Sequence, residues 1–215
     1  MIPCIVITRD RVSCTRLCVE SLEQNPALDI YLVDHNSTWP PMLEYLETSP
    51  HTVLYCEDKT AQSLWDWPLL PDIVGNEPYL VTDPDIVLDP GCPEDWVPQM
   101  ALEMVDSNWD KVGLGLRLDD LPDTEEAARV RAWEAPFWVT SSRTRVAYQA
   151  PVDTTLAMYR PLPERPQFSL VPAARLAPPY LARHLPWYRD FDRAEMEHYR
   201  SRLLPGSTHW SKEKA

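Results

Sequence analysis

The chain has 215 residues, of which 44% are hydrophobic and 25% charged, and a formal net charge of -13. This is ordinary globular composition, long enough for one domain with a full core, and it excludes a disordered chain. The negative field excludes nonspecific attachment to nucleic acid or an anionic membrane, so a phosphate-bearing ligand needs local arginines or a bound metal to approach.

In chain order, Pro3 to Thr8 reads as a first strand. Ser13 then caps a helix in which Cys14, Leu17, Cys18 and Leu22 recur at helical spacing, before Asn25 and Pro26 stop it. Ile30 to Val33 is a second buried strand ending in Asp34, His35, Asn36, Ser37 and Thr38, and Pro40 and Pro41 open the next helix. A strand over Thr52 to Tyr55, a helix over Gln62 to Leu70 and a fourth strand from Tyr79 follow. Next come a helix from Glu94 to Ser107, acidic in its first turn, and a strand from Val112 to Leu118. The remainder is rich in proline, with strand-like pieces at Phe137 to Thr140, Thr154 to Tyr159 and Phe168 to Val171, and a last helix from Arg193 to Leu203.

Alternating strands and helices of this kind predict a parallel sheet covered by helices, whose ligands lie at the carboxyl ends of the strands. Arg9, Asp10, Asp34, Asn36, Asp83 and Asp85 all fall at those ends. With no internal repeat and no linker, the expectation is one α/β domain over 1–215, with a nucleotide-binding half over 1–120 and an acceptor-side half over 121–215. The five cysteines show no C-x-x-C pair, so neither a zinc ribbon nor a disulfide framework is indicated. No apolar run reaches membrane-spanning length, and buried free thiols in a reducing cytoplasm are expected.

The most informative segment is Tyr79 to Asp85, an apolar strand ending in two carboxylates one residue apart. Residues i and i+2 of an extended strand share a face, so Asp83 and Asp85 can reach one hard cation, which in turn can clamp a diphosphate. The competing reading is a polar strand end followed by a cap. Neither G-x-G-x-x-G nor G-x-x-x-x-G-K-[ST] occurs, which removes the standard dinucleotide and P-loop sites.

The run Ile5 to Arg11, the run Tyr31 to Thr38 and the D-x-D of Asp83, Pro84 and Asp85 together resemble the nucleotide-sugar-dependent glycosyltransferases of GT-A fold, of the family 2 type. The resemblance implies a GT-A-like, Rossmann-like sheet and a UDP- or GDP-linked sugar donor. The nucleoside would be held by Thr8, Arg9, Asp34 and Asn36, with Asp83 as a ribose or water-mediated contact. It further implies Mn²⁺ or Mg²⁺ on Asp85, with His184 in the run His184 to Tyr188 as a second metal ligand. Transfer would be inverting, to an acceptor hydroxyl on a protein, glycan, lipid or small molecule, with Asp153 as the general base. The family's usual Glu-Asp pair is absent, since Val152 precedes Asp153, which leaves Glu134, Asp119 and Asp120 as competitors. Arg143, Arg145 and Arg160 are either diphosphate contacts or solvated arginines.

Two other readings compete. Asp83, Pro84, Asp85, Ile86 and Val87 also resemble the D-x-D-x-[T/V] loop of haloacid-dehalogenase-type phosphatases, although that loop belongs after the first strand and here follows the fourth. A non-catalytic GT-A-like binding protein is the third.

Overall fold

The computed structural model describes residues 1–57, 63–153, 155–161 and 172–203. The expected piece Phe168 to Val171 and the start of the helix expected from Gln62 lie outside them.

β1 (Ile2–Thr8) is followed by α1 (Val12–Leu22), β2 (Leu28–Asp34), α2 (Pro40–Thr48) and β3 (Thr52–Tyr55). Cys4 and Val6 of β1 pack into one hydrophobic cluster with α1, α2 and α5 (Trp96–Asp106), while Ile5 and Ile7 pack into another on the opposite face with Leu64, Trp65, Leu70 and Val74. Alternate residues of one strand are therefore buried on both faces, as a sheet covered by helices on each side requires.

β4 (Tyr79–Thr82) lies beside β1, and the main sheet has the order β3-β2-β1-β4-β9-β6-β10-β8, with β6 (Lys111–Gly113), β8 (Ala147–Gln149), β9 (Ala157–Tyr159) and β10 (Ala173–Leu176). Strands β1 to β4 run parallel to one another, and β9 is antiparallel to both β4 and β6. Because β2 and β4 flank β1 on opposite sides, the chain reverses its direction of winding at β1. The crevice beyond the β1 and β4 ends is thus a topological switch point, where ligands of such sheets bind. A second sheet, β5-β11-β7, joins β5 (Ile86–Leu88), β11 (Leu181–His184) and β7 (Gly115–Leu116).

Several expected elements take another form. Asp83 and Asp85 do not continue one strand: Pro84 and Asp85 form a turn between β4 and β5, so the same-face argument gives way to a turn. The strand expected over Val112 to Leu118 is split at Leu114 between the two sheets. Both flanking glycines are sites of close approach: a Cβ on Gly113 would lie 2.6 Å from Val152 Cγ1, and one on Gly115 2.5 Å from Trp138 Cη2 and 2.6 Å from the Leu176 carbonyl. In place of one helix up to Leu70 there are two short ones, α3 (Ser63–Asp66) and α4 (Leu70–Val74), broken around Pro68, which has no N–H to give. Phe137 and Trp138 belong to a 3-10 turn (Ala135–Trp138) opened by Pro136, and the strand lies later, at β8.

Ser13 is not the cap of α1, whose N-cap is Arg11; it sits inside the first turn. The acidic residues expected in the first turn of α5 precede that helix. The two last helices are α6 (Glu125–Glu134), capped by Thr124, and α7 (Arg193–Ser201), capped by Asp192. Among the described residues, no helix is long and apolar enough to cross a membrane. Cys4, Cys14, Cys18 and Cys56 are buried free thiols, as expected, while Cys92 is half-buried.

Candidate functional site

At the switch point, the loops after β1 and β4 meet through a buried ion pair, with Arg11 Nη1 2.6 Å from Asp85 Oδ2. Arg11 Nη2 also donates to Cys14 Sγ at 3.1 Å, and the guanidinium lies 5.2 Å from the Tyr199 ring centroid and 5.9 Å from that of Phe191. These aromatic faces favour a cation where water is excluded. Burial by itself would raise the Asp85 carboxyl, but the charges of His184 and Arg11 and their hydrogen bonds hold it well below the usual carboxylate range. Asp85 is ionised at neutral pH.

His184 reaches the same oxygen, with Nε2 3.4 Å from Asp85 Oδ2. Strand pairing brings it there: His184 closes β11 opposite Ile86 of β5, and the Leu185 N–H donates to the Asp85 carbonyl at 2.8 Å. Its ring is tilted against Trp187 at 4.7 Å between centroids, and its Nδ1 is buried without a hydrogen-bond partner. The two expected metal ligands, 99 positions apart in the sequence by their numbers (184 − 85), are thus assembled by the small sheet.

The expected nucleoside contacts are placed unevenly. Thr8 is buried, its hydroxyl 2.8 Å from that of Thr15. Asp34 is 2% exposed; one of its oxygens accepts from the Ser37 N–H at 2.9 Å and the other from the Ser37 hydroxyl. Burial raises the Asp34 carboxyl, and the Ser37 bonds partly offset this. Asp34 therefore shapes its own loop. Asn36 is exposed and left-handed, with φ 62°. Asp83 is half-buried beside the crevice. Arg9 packs at the strand end and donates to the Arg202 carbonyl.

Asp153 is exposed at the entry to β9, and the Tyr159 hydroxyl donates to its carbonyl at 3.4 Å. Its charge acts on the buried Lys111, whose ammonium is pushed down to about 8, mainly by burial, with Asp153 opposing the fall. Burial raises the Tyr159 phenol, and the charges of Asp153 and Asp83 add to the rise. Of the competing carboxylates, Glu134 is buried and bonded to Arg175 Nη1 at 2.5 Å; burial raises it, with Arg175 and then His184 offsetting. Asp119 and Asp120 belong to a network with Arg117 and Arg183, in which Arg117 Nε lies 2.9 Å from Asp119 Oδ1. Arg160 is no diphosphate contact, since it donates to the Trp109 and Met104 carbonyls at 2.8 and 2.7 Å and ties down the end of α5.

Sequence reasoning missed the contribution of α7. Glu195, 1% exposed, accepts from the Ser13 N–H and hydroxyl at 3.2 and 2.8 Å, giving α1 the acidic partner at its N-terminus that its own first turn lacks. His198 Nε2 lies 3.0 Å from Thr38 Oγ1, and Arg202 Nε lies 3.4 Å from Asp10 Oδ2. Asp10 is fully buried at φ 53° and accepts from the Thr38 and Trp39 N–H groups at 2.6 and 2.8 Å. The only sequence signal was the run of charges in Arg9, Asp10 and Arg11.

Among solved structures, TarS of S. aureus matches with a TM-score of 0.50 at 13% identity, over 85% of this chain and 36% of that one. The fold is GT-A-like. A complex of TarS 1-349 with UDP gives 0.43 at 14% identity, over 74% of this chain and 47% of that one. HddC from Yersinia pseudotuberculosis gives 0.48 at 10% identity, over 82% and 90%. The chain spans less than half the length of the TarS chains it matches. No protein-family model matches the sequence, and the search of curated proteins gave no match.

Proposed function

We propose that the chain is a glycosyltransferase that moves a sugar from a UDP- or GDP-linked donor to an acceptor hydroxyl with inversion, working with Mn²⁺ or Mg²⁺. The observation that carries this reading is the convergence of Asp85, His184 and Arg11 at the switch point of a GT-A-like sheet.

Among the described residues, no three His, Cys, Asp or Glu side chains are grouped to hold an ion by themselves. Asp85 Oδ2 and His184 Nε2, 3.4 Å apart, make a two-donor set. An ion on that set would share the Asp85 carboxylate with Arg11 and take its remaining ligands from substrate phosphate and water. When bound, the metal supplies Lewis-acid stabilisation of the departing diphosphate. Arg11 keeps Asp85 ionised and oriented, and Arg9 adds positive charge beside the strand end. Asp153 takes the proton of the acceptor hydroxyl as that oxygen bonds to the anomeric carbon, and the bond from that carbon to the diphosphate oxygen breaks, releasing the nucleoside diphosphate. The exposure of Asp153 supports this role, and buried cysteines outside any disulfide support a cytoplasmic setting.

Calorimetric titration with UDP and GDP, in EDTA and in Mn²⁺, tests the reading together with sugar release from UDP- and GDP-linked hexoses. Cation-dependent nucleotide binding lost in Asp85→Asn is expected. Hydrolysis of phosphate monoesters in its place would transfer the assignment to the phosphatase class.

A further inference from the structure

One oxygen of Asp85 serves two partners, since Arg11 Nη1 at 2.6 Å and His184 Nε2 at 3.4 Å both lie against Oδ2. The guanidinium carries a permanent charge, and it is fixed in place from outside the sheet. Its Nη2 donates to Cys14 Sγ at 3.1 Å, and the rings of Tyr199 and Phe191 lie 5.2 and 5.9 Å from it. Tyr199 is carried by α7, which Glu195 fastens to Ser13, two residues beyond Arg11. With one N–H on the carboxylate and another on a thiol, the pair is not the two-pronged fork of the strongest arginine–carboxylate contacts. Asp85 is thus already balanced by a buried positive charge. A divalent ion arriving alone at Asp85 and His184 would meet that charge on the same oxygen, with little water to screen the repulsion. A diphosphate brings the negative charge that offsets it.

We infer that Arg11 is a gating residue: its guanidinium holds the cation's place on Asp85 in the resting protein and makes cation binding depend on the diphosphate that comes with it. The inference rests on the donor reading above. Cation and nucleotide then strengthen each other by the same factor, as linkage between two ligands requires. Tyr199 and Phe191 set how firmly the guanidinium is held, because cation–π contacts gain strength where water is excluded. When the nucleoside diphosphate departs, its compensating charge goes with it, and the guanidinium reclaims the carboxylate and releases the ion.

The test is calorimetric titration of the full chain with Mn²⁺ and with UDP, each alone and in the presence of the other, on wild type, Arg11→Met and Tyr199→Leu. Arg11→Met is expected to bind Mn²⁺ alone at least about tenfold more tightly than wild type, and UDP should then improve Mn²⁺ affinity by a smaller factor. Mn²⁺ should also raise the thermal midpoint of Arg11→Met more than that of wild type, because it replaces the missing cation in the folded state. Tyr199→Leu keeps the charge and loosens its hold, and should tighten Mn²⁺ by about two- to fivefold. Mn²⁺ affinity unchanged or weakened in a folded Arg11→Met overturns the proposal, as does a wild type that binds Mn²⁺ equally well with and without UDP. Where Arg11→Met does not fold, unchanged Mn²⁺ affinity in Tyr199→Leu overturns it. Tighter Mn²⁺ in the variants of a protein that ignores UDP and GDP keeps Arg11 as the occupant of the cation's place and removes the donor reading. Cation-dependent UDP binding with Mn²⁺ affinity unmoved by either variant does the reverse, and a chain that binds neither Mn²⁺ nor nucleotide in any form removes both.

Discussion

Arg11 and Asp85, 74 residues apart, form an ion pair at 2.6 Å with side chains only 8% and 10% exposed. The pair joins the loop after β1 to the turn after β4, and these two segments bound the switch-point crevice. Removing one partner strands the other charge away from water, which costs about 3–5 kcal/mol. Arg11→Leu and Asp85→Leu are each expected to lose stability in that range. The double variant should lose far less than the sum, and urea unfolding of all four proteins reads the difference. Strict additivity would show that the two charges do not depend on each other.

The same pair gives stability a dependence on acid. Asp85 binds its proton far less readily in the folded protein than in the unfolded chain, where carboxylates titrate near about pH 4. The unfolded state therefore binds more protons as the pH falls, so the Asp85 contribution is fully present above about pH 4 and drains away below it. Urea midpoints between pH 6 and pH 2 should fall more steeply for wild type than for Asp85→Asn, and parallel curves would exclude Asp85 as a source of the slope.

Lys111 works at the other end of the scale. Its ammonium is buried and titrates at about 8, below the usual lysine value. Between there and about pH 10.4 the unfolded chain holds a proton that the folded protein has released, so stability rises with pH across that window. Lys111→Met is expected to flatten the rise, which reaches about 3 kcal/mol at most at about 1.4 kcal/mol per unit, and to stabilise the protein at pH 7. Unfolding at pH 7, 8, 9 and 10 measures it; equal slopes would contradict the assignment.

The core strands were legible because they depend on local pattern, Cys4 to Ile7 being apolar at every position, whereas the turn at Pro84 and Asp85 was not, since the two acids fit an extended strand end equally well. The partner of Asp85 was only half legible. His184 stood out in its aromatic run, whereas Arg11 looked like one charge among three, because its meaning lies in a contact across the sheet that no local spacing encodes. The split of the strand after Lys111 was hidden for a related reason. Gly113 and Gly115 lie in an apolar stretch that reads as continuous, and only the approach of Val152 and Trp138 shows why those positions carry no side chain.

Gly113 connects that packing to the candidate base. A methyl group there meets Val152 Cγ1 at 2.6 Å, and Val152 immediately precedes Asp153. Gly113→Ala is expected to cost about 1–3 kcal/mol and to slow transfer by displacing Asp153. Val152→Ala in the same chain removes the obstructing methyl groups and should restore much of both. Failure of the second change to help would place the strain on the backbone and leave Val152 out of it.

Asp153 itself carries the sharpest prediction. It is exposed, whereas the Glu134 carboxylate is buried and held by Arg175. A base must be able to meet the acceptor hydroxyl, which a buried carboxylate reaches only if its surroundings move. Asp153→Asn should keep UDP or GDP affinity within a few-fold of wild type and lower transfer by roughly 10²- to 10⁴-fold. His184→Ala should instead weaken the cation and the nucleotide together, as loss of a metal ligand does. The comparison of Asp153→Asn with Glu134→Gln then turns on stability: the glutamate variant leaves Arg175 buried without its charge partner and should lower the unfolding midpoint, while Asp153→Asn should leave it nearly unchanged. Near-normal transfer in Asp153→Asn, with a large loss in a folded Glu134→Gln, would pass the role of base to Glu134.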